Sequence, residues 1–455
     1  MQFKNILQSQ REFFNKNTTK DIHFRKKQLK TLKRVLKERE KDLCEAIAKD
    51  IDKSVFETFA TELLTIHTEI NTALKKLNKW SKRKKVNTTI INFPAKSFIM
   101  PEPLGCTFII SAWNYPYQLA FVPAISAIAA GNTVILKPSE IAPNTSALIA
   151  DIVNTNFDKE FFHVIEGGAE ETTELLKLKF DKIFFTGNTR VGKIVYKAAA
   201  ENLTPVTLEL GGKSPVFIFE GCNVDMAAKR LVWAKFLNSG QTCVAPDYVL
   251  VEKNIELDFL EALKNNINKY YRLNTSKCDN YTRIINEKHF DRLNALIEKK
   301  NVFIGGNTNK DKLFISPTVL RNINWDSEIM KDEIFGPILP IITFEDIDKT
   351  INMVKSKEKP LACYIYSKKQ KQIDNILTSI SFGGGCINDS LMQLANKNLP
   401  FGGVGASGMG SYYGEAGFKD FSNYKSILKK AYLFESNLKY FPYTKKKMNF
   451  IKKLM

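Results

Sequence analysis

Two successive α/β domains and a small strand excursion are the fold class this sequence predicts, and three observations predict it. From about residue 106 to 210, short continuous apolar runs alternate with helical patterns, as in parallel strands covered by helices on both faces. The alternation begins again after Gly212, which puts a domain boundary near Gly211-Gly212. Residues 86–99, ahead of the first strand, break into short apolar pieces that read as a hairpin. At 455 residues the chain is long enough for two or three domains with a sizeable core.

Taken in order, residues 8–75 carry two or three helical patterns, with Leu29, Leu32, Leu36 and Leu43 close to a helical period. The strand pieces of the excursion are Thr88-Thr89-Ile90-Ile91 and Lys96-Ser97-Phe98-Ile99. Strands are then expected at 106–111, 133–136, 161–165, 182–185 and 206–210, with helices at 119–130, 145–153 and 192–200 between them. A strand at 216–219, a helix at 225–237 and a strand at 248–251 open the second unit. Residues 399–410 hold too many glycines for a regular element, so an ordered loop near a site or interface is expected, with a flexible linker as the bland alternative. A nucleotide at the carboxyl ends of the first set of strands is the default for such a sheet.

Composition narrows the classes. Lysine plus arginine exceed aspartate plus glutamate by 19, a field that attracts anions. No aromatic-interleaved recognition module accompanies it, so nucleic acid is not an expected partner. The longest apolar runs fall short of the roughly 18 residues of a membrane span, and the charged N-terminal stretch does not read as a signal peptide. Seven scattered cysteines without a Cys-x-x-Cys pair suit a reduced, cytoplasmic chain. His23, His67, His163 and His289 are too dispersed for a structural zinc site, and no metal is expected. The tail from Tyr440 interleaves Phe441, Phe450, Ile451 and Leu454 with lysines. That pattern suits weak contact with an anionic membrane, although simple surface solvation is the stronger reading.

Cys243, in Gly240-Gln241-Thr242-Cys243 just past a helical stretch, is the best candidate nucleophile; inert core packing is its ordinary alternative. Glu209, in Leu208-Glu209-Leu210-Gly211-Gly212-Lys213, offers a base for a second proton transfer, or merely caps a turn. Asn114, in Trp113-Asn114-Tyr115-Pro116, has an amide suited to a developing oxyanion or to helix capping. Lys137 and Glu140 close a strand, where they suit a ribose or the first turn of a helix. Gly187 and Gly192 follow another strand and open a helix, an arrangement that brings backbone amides near a phosphate. Their spacing of five, with Thr189 between them, is not the usual dinucleotide fingerprint.

Together these segments, with Gly131-Asn132-Thr133-Val134-Ile135-Leu136-Lys137-Pro138-Ser139-Glu140, Glu333-Ile334-Phe335-Gly336-Pro337 and Pro400-Phe401-Gly402-Gly403-Val404, closely resemble the aldehyde dehydrogenase superfamily. The likeness is to its shorter class 3 branch of fatty and aromatic aldehyde dehydrogenases, in the family's order over roughly residues 15–445. The resemblance implies a Rossmann-like cofactor domain (1–79 and 101–210), a catalytic domain (211–395), bridging elements that serve dimerisation (80–100 and 396–435) and a basic tail (436–455). It makes Cys243 the nucleophile, Glu209 the general base and Asn114 the side-chain half of the oxyanion site. Lys137 and Glu140 then match adenine-ribose contacts, Gly187 and Gly192 the cofactor turn, and Glu333 and Phe335 the nicotinamide ribose. The implied reaction is NAD(P)-dependent oxidation of an aldehyde, of medium or long aliphatic chain or aromatic, to a carboxylic acid through a cysteine thioester. NAD is the expected cofactor with some NADP use, and the expected assembly is a homodimer. A CoA-acylating relative and a non-redox thiol esterase are the alternatives. Tyr115, Tyr117 and Phe121 beside Asn114 are expected to line an apolar aldehyde tunnel or to fill the core.

Overall fold

The computed structural model describes residues 2–271 and 280–454. Helices Ile22–Glu38, Glu40–Ile51 and Leu64–Trp80 turn one apolar stripe each inward, carrying Leu29, Leu32, Leu36, Leu43, Ile47, Ile66, Ile70 and Leu77 into one core. They surround helix Pro116–Ala130, which is apolar on nearly every side and buried except at Gln118, as a helix without a polar face must be. Proline at its first position and Gly131 in the left-handed region at φ 97° set its two ends.

The first sheet has the order Gly408–Met409, Val206–Glu209, Lys182–Thr186, Cys106–Ile110, Thr133–Lys137, Phe162–Val164. All neighbours are parallel except the first pair. Successive strands run outward from Cys106–Ile110 on one side and then restart on its other side with Lys182–Thr186. The crevice outside their carboxyl ends is therefore a topological switch point. In the second sheet Pro215–Ile218 lies between Ala362–Tyr366 and Tyr248–Glu252, with Gly384–Ile387, Ile338–Phe344 and Thr318–Leu320 further out, all parallel, and Val302–Ile304 as an antiparallel edge. A third, antiparallel sheet joins Lys84–Val86, Ala95–Pro103 and Ser422–Lys430.

Local differences from the sequence expectations have local causes. Ile90 and Ile91 belong to the 3₁₀ turn Ile90–Asn92, so the first hairpin strand is Lys84–Val86 instead. The helix expected from Gly192 starts at Thr189, because the Asn188 side chain caps it by accepting the Val191 N–H. No helix begins at Pro138; the next one is Pro143–Asn156. The glycine-rich stretch contributes the short strand Gly408–Met409, which pairs with Glu209 and Leu208. Gly408 has φ +148°, and a Cβ there would run into the Leu208 carbonyl; only glycine permits so close a pairing. Tyr412, Tyr413, Phe418 and Phe421 then bury in the N-terminal core before the chain enters Ser422–Lys430. Among the described residues, no helix is long and apolar enough to cross a membrane.

Candidate functional site

Helix Val224–Phe236 delivers the chain to a turn in which Asn238, Ser239 and Gly240 have φ values of 52°, 51° and 71°. Two non-glycine residues in succession there are held against their own preference, and the hydrogen bonds show how. The Asn238 Nδ2 donates to the carbonyls of Asn114 (2.9 Å) and Gln241 (3.1 Å), and the Ser239 hydroxyl donates to the Thr282 carbonyl. The Gln241 side chain donates to the carbonyls of Asn238 (3.1 Å) and Arg283 (2.9 Å) and accepts the Ile285 N–H (3.1 Å). Gly240 packs so close to the Gly336 carbonyl that a Cβ has no room. This ties Gly-Gln-Thr-Cys to the Glu333–Pro337 segment. Just beyond the turn, Cys243 is partly exposed and lines a cavity of about 830 Å³.

Asn114 is buried across the same turn, and its Nδ2 donates to the Gln241 carbonyl at 3.0 Å. A primary amide carries two hydrogens, so one remains for the cavity that Asn114 also lines. Its side chain caps no helix; Tyr115 is the N-cap and makes no side-chain cap bond. Tyr115 lines the cavity, with its hydroxyl 2.7 Å from Thr242 Oγ1. Tyr117 and Phe121 lie instead in the N-terminal core, where the Tyr117 hydroxyl donates to the Leu43 carbonyl. They take the core alternative because they lie on faces of this helix that pack into the N-terminal core, whereas Gln118 and Leu119 reach the cavity. Phe401, of the glycine-rich segment marked in the sequence, joins an apolar wall whose other members carried no sequence signal for the site: Trp233, Phe236, Leu391, Leu394 and Tyr412.

Glu209 ends its strand between Thr186 and Gly408. Both of its carboxylate oxygens are buried without a protein hydrogen-bond partner, and burial, with Asp420 adding to it, holds this carboxyl well above the usual range. The Cys243 thiol is likewise pushed up by burial and then by Glu333 and Glu209, whose charges it feels. Glu333 folds over Gly211, where a Cβ has no room, and accepts the Gly212 N–H; burial, with Asp247 next, pushes it up to about 8. Phe335 has φ 50° and meets the Trp113 ring edge-on at 5.5 Å.

On the other face of the switch point, Lys137 is buried and pairs with half-exposed Glu140 at 2.9 Å. The N–H groups of Gly187 and Gly192 are engaged by the Glu209 and Asn188 carbonyls, each at 3.0 Å. These two glycines therefore supply close approach, against Phe185 and Leu210, and not phosphate donors. Ser111 follows strand Cys106–Ile110 and Thr186 ends Lys182–Thr186; both hydroxyls are buried without a protein partner. Polar atoms left so at a switch point fit a polar cofactor. Sequence reasoning missed both, since a lone hydroxyl at a strand end carries no pattern. Among the described residues, no group of His, Cys, Asp or Glu is arranged to hold a metal ion.

The model of the aldehyde dehydrogenase family matches residues 1–427. A Staphylococcus aureus (strain NCTC 8325 / PS 47) protein, 4,4'-diaponeurosporen-aldehyde dehydrogenase, is 47% identical over 97% of this chain and 96% of its own length. The dog (Canis lupus familiaris) aldehyde dehydrogenase, dimeric NADP-preferring, is 42% identical over 95% of this chain and 96% of its own. The solved substrate-bound state of Staphylococcus aureus AldH superimposes with a TM-score of 0.97 at 46% identity, covering 99% of each chain.

Proposed function

Because the chain belongs to the aldehyde dehydrogenase family, we propose that Cys243 and Glu209 carry its NAD(P)-dependent oxidation of an aldehyde to a carboxylic acid. The observation that carries this assignment is Glu209: a buried carboxylate with no protein partner on either oxygen, whose charge reaches the partly exposed Cys243 of the cavity. Burial that raises a carboxyl makes its ionised form a stronger base.

Because its surroundings favour the neutral thiol, Cys243 passes its proton to water in the cavity as the sulfur attacks the aldehyde carbon. The free Asn114 amide hydrogen and the Cys243 backbone N–H receive the negative charge that develops on the carbonyl oxygen. The nicotinamide cofactor, when bound, accepts the hydride lost from that carbon. Ser111, Thr186, Lys137, Glu140, Glu333 and Phe335 are the residues to hold it, while Gly187 and Gly192 let the turn beside it pack closely on Phe185 and Leu210. Cys243 is left as a thioester. Glu209 then takes a proton from water, the water oxygen adds to the thioester carbon, and the carbon–sulfur bond breaks to give the acid and the thiolate.

The apolar lining favours aldehydes of medium or long aliphatic chain or with an aromatic ring. Glu209 argues against a CoA-acylating variant, which has no need of a water-activating base. A thiol esterase has no use for the partnerless hydroxyls at the switch point. For the cofactor, Glu140 suits a free ribose 2′-hydroxyl and hence NAD, while Lys137 leaves room for NADP. Residues 1–79 and 101–210 form the cofactor domain on this reading, 211–395 the catalytic domain, 80–100 and 396–435 the bridge, and 436–455 a basic tail. The bridge joins a cytoplasmic homodimer, checked by light scattering. Helix Lys445–Leu454 exposes Met448, Phe450 and Ile451 among lysines; surface solvation is the stronger reading, with weak peripheral membrane contact as its alternative. Liposome sedimentation at low and physiological salt, with and without residues 440–455, separates the two.

Reduced-cofactor absorbance over a chain-length series of aldehydes tests the reaction. The expected result is turnover that improves from short to long chains with NAD. Preference for a charged semialdehyde overturns the substrate class, and turnover only with added coenzyme A overturns the hydrolytic step.

A further inference from the structure

We propose that Lys53 and Glu62, a fully buried ion pair remote in sequence from every motif above, are positioning residues that hold the Asn114 amide in register with Cys243. The inference rests on the oxyanion role just assigned to Asn114.

The pair comes from an irregular stretch. Helix Glu40–Ile51 ends at Asp52 in the left-handed region (φ 54°), and a π turn, Phe59–Leu63, interrupts the helical path that continues as Leu64–Trp80. Such turns are uncommon and concentrate at functional sites. Both side chains are 0% exposed. Lys53 Nζ donates to Glu62 Oε1 at 2.8 Å and to the Asn114 carbonyl at 3.3 Å, and it lies 4.3 Å above the Tyr115 ring. Glu62 Oε2 accepts the N–H groups of Tyr117 (2.8 Å) and Gln118 (3.3 Å), the first-turn amides of the buried helix. Nearby, Glu57 Oε1 accepts the Asn238 N–H at 2.7 Å. One stretch of ten residues, 53–62, thus grips the Asn114 loop and the turn before Cys243 at once.

Stability alone gives weak reason to bury such a pair, since apolar residues of similar volume commonly do as well or better. What the pair supplies is direction. The Asn114 carbonyl is fixed by Lys53 and by Asn238, its Nδ2 by Gln241, and the helix that follows by Glu62. The remaining amide hydrogen is left one orientation. Because reacting groups lose about a hundredfold for roughly 1 Å of misplacement, a clamp on this peptide governs acylation and not affinity.

The double variant Lys53→Met/Glu62→Gln removes both charges at similar volume, so its thermal midpoint should lie near that of the wild type. Its burst rate of cofactor reduction should fall about 30-fold, with aldehyde KM within about twofold and iodoacetamide alkylation of Cys243 unchanged. In an Asn114→Ala background the same double change should cost less than about threefold, because its target is gone. A double variant with a wild-type burst, or costs that simply multiply in the Asn114→Ala background, overturns the clamp alone. A wild-type burst in Asn114→Ala overturns the oxyanion reading and the clamp with it.

Discussion

The substrate wall and the carboxyl ends of the first sheet treat their polar atoms in different ways. On the substrate side most are engaged within the protein: the Tyr115 hydroxyl with Thr242, Gln118 with the Tyr413 hydroxyl, and Glu57 with Asn238 and Thr282, the buried Tyr412 hydroxyl being the exception. At the strand ends, Ser111, Thr186 and both oxygens of Glu209 are buried without protein partners. A buried polar group left so costs about 1–3 kcal/mol; one side is therefore built to exclude water and read shape, the other to be completed by hydrogen bonds from ligand and water. Changes on the first should alter which aldehyde is used, and changes on the second should alter proton transfer and cofactor choice.

The largest expected effect removes the atom on which both sides converge. Cys243→Ala should fold and lose aldehyde oxidation by about four orders of magnitude or more, together with any ester hydrolysis, as read by initial rates. Peptide mapping of the trapped acyl group should find it on Cys243. Acylation at Cys222 or Cys386 would break the comparison, since it would move the chemistry elsewhere.

Glu209→Gln comes next. It should leave the first burst of cofactor reduction largely intact and slow steady-state turnover about 10²- to 10⁴-fold. The sign of the pH effect follows from the raised carboxyl of Glu209: protonated, it cannot take a proton from water, so thioester hydrolysis should rise with pH through that raised value. The variant should lose this limb. An unchanged steady-state rate would exclude Glu209 as the essential base and turn attention to Glu333, itself pushed up to about 8.

On the substrate wall the effect should be smaller and of another kind. Trp233 lines the cavity at 43% exposure, and Trp233→Ala should shift relative kcat/KM toward bulkier aldehydes by about tenfold, roughly the value of one or two buried methylenes. The pH profile should stay as it is. A moved pH profile with unchanged chain-length preference would erase the distinction between the two sides.

The legible parts of this molecule are those where one short segment carries the information. The strands 106–110, 133–137 and 182–186 announce themselves as continuous apolar runs, and Cys243, Glu209 and Asn114 sit in segments whose local pattern is distinctive. The clamp is different. Lys53, Glu57 and Glu62 look like a solvated helix face, because nothing in their spacing says that a π turn will aim them at residues 114 and 238. The cavity wall was hidden for the same reason, since Trp233, Leu391 and Tyr412 meet only through tertiary packing. Gly187 and Gly192 carry the converse lesson: the turn was visible, but not that its amides are already engaged.

The smallest expected effect tests the cofactor side at its most exposed point. Glu140 is half-exposed and pairs with buried Lys137 at 2.9 Å. Its carboxylate suits a ribose 2′-hydroxyl and repels a 2′-phosphate, but water and salt screen a group so placed. Glu140→Gln keeps an acceptor for the hydroxyl, removes the repulsion and frees the Lys137 ammonium for the phosphate. The ratio of NADP to NAD efficiency should rise about three- to tenfold, mostly through the KM for NADP, and the gain should shrink as ionic strength increases. Aldehyde chain-length preference should not change, because Glu140 does not line the cavity. Initial rates with both cofactors at low and high salt decide the matter. An unchanged ratio would take Glu140 out of cofactor discrimination and leave Lys137, the buried member of the pair, as the residue to vary.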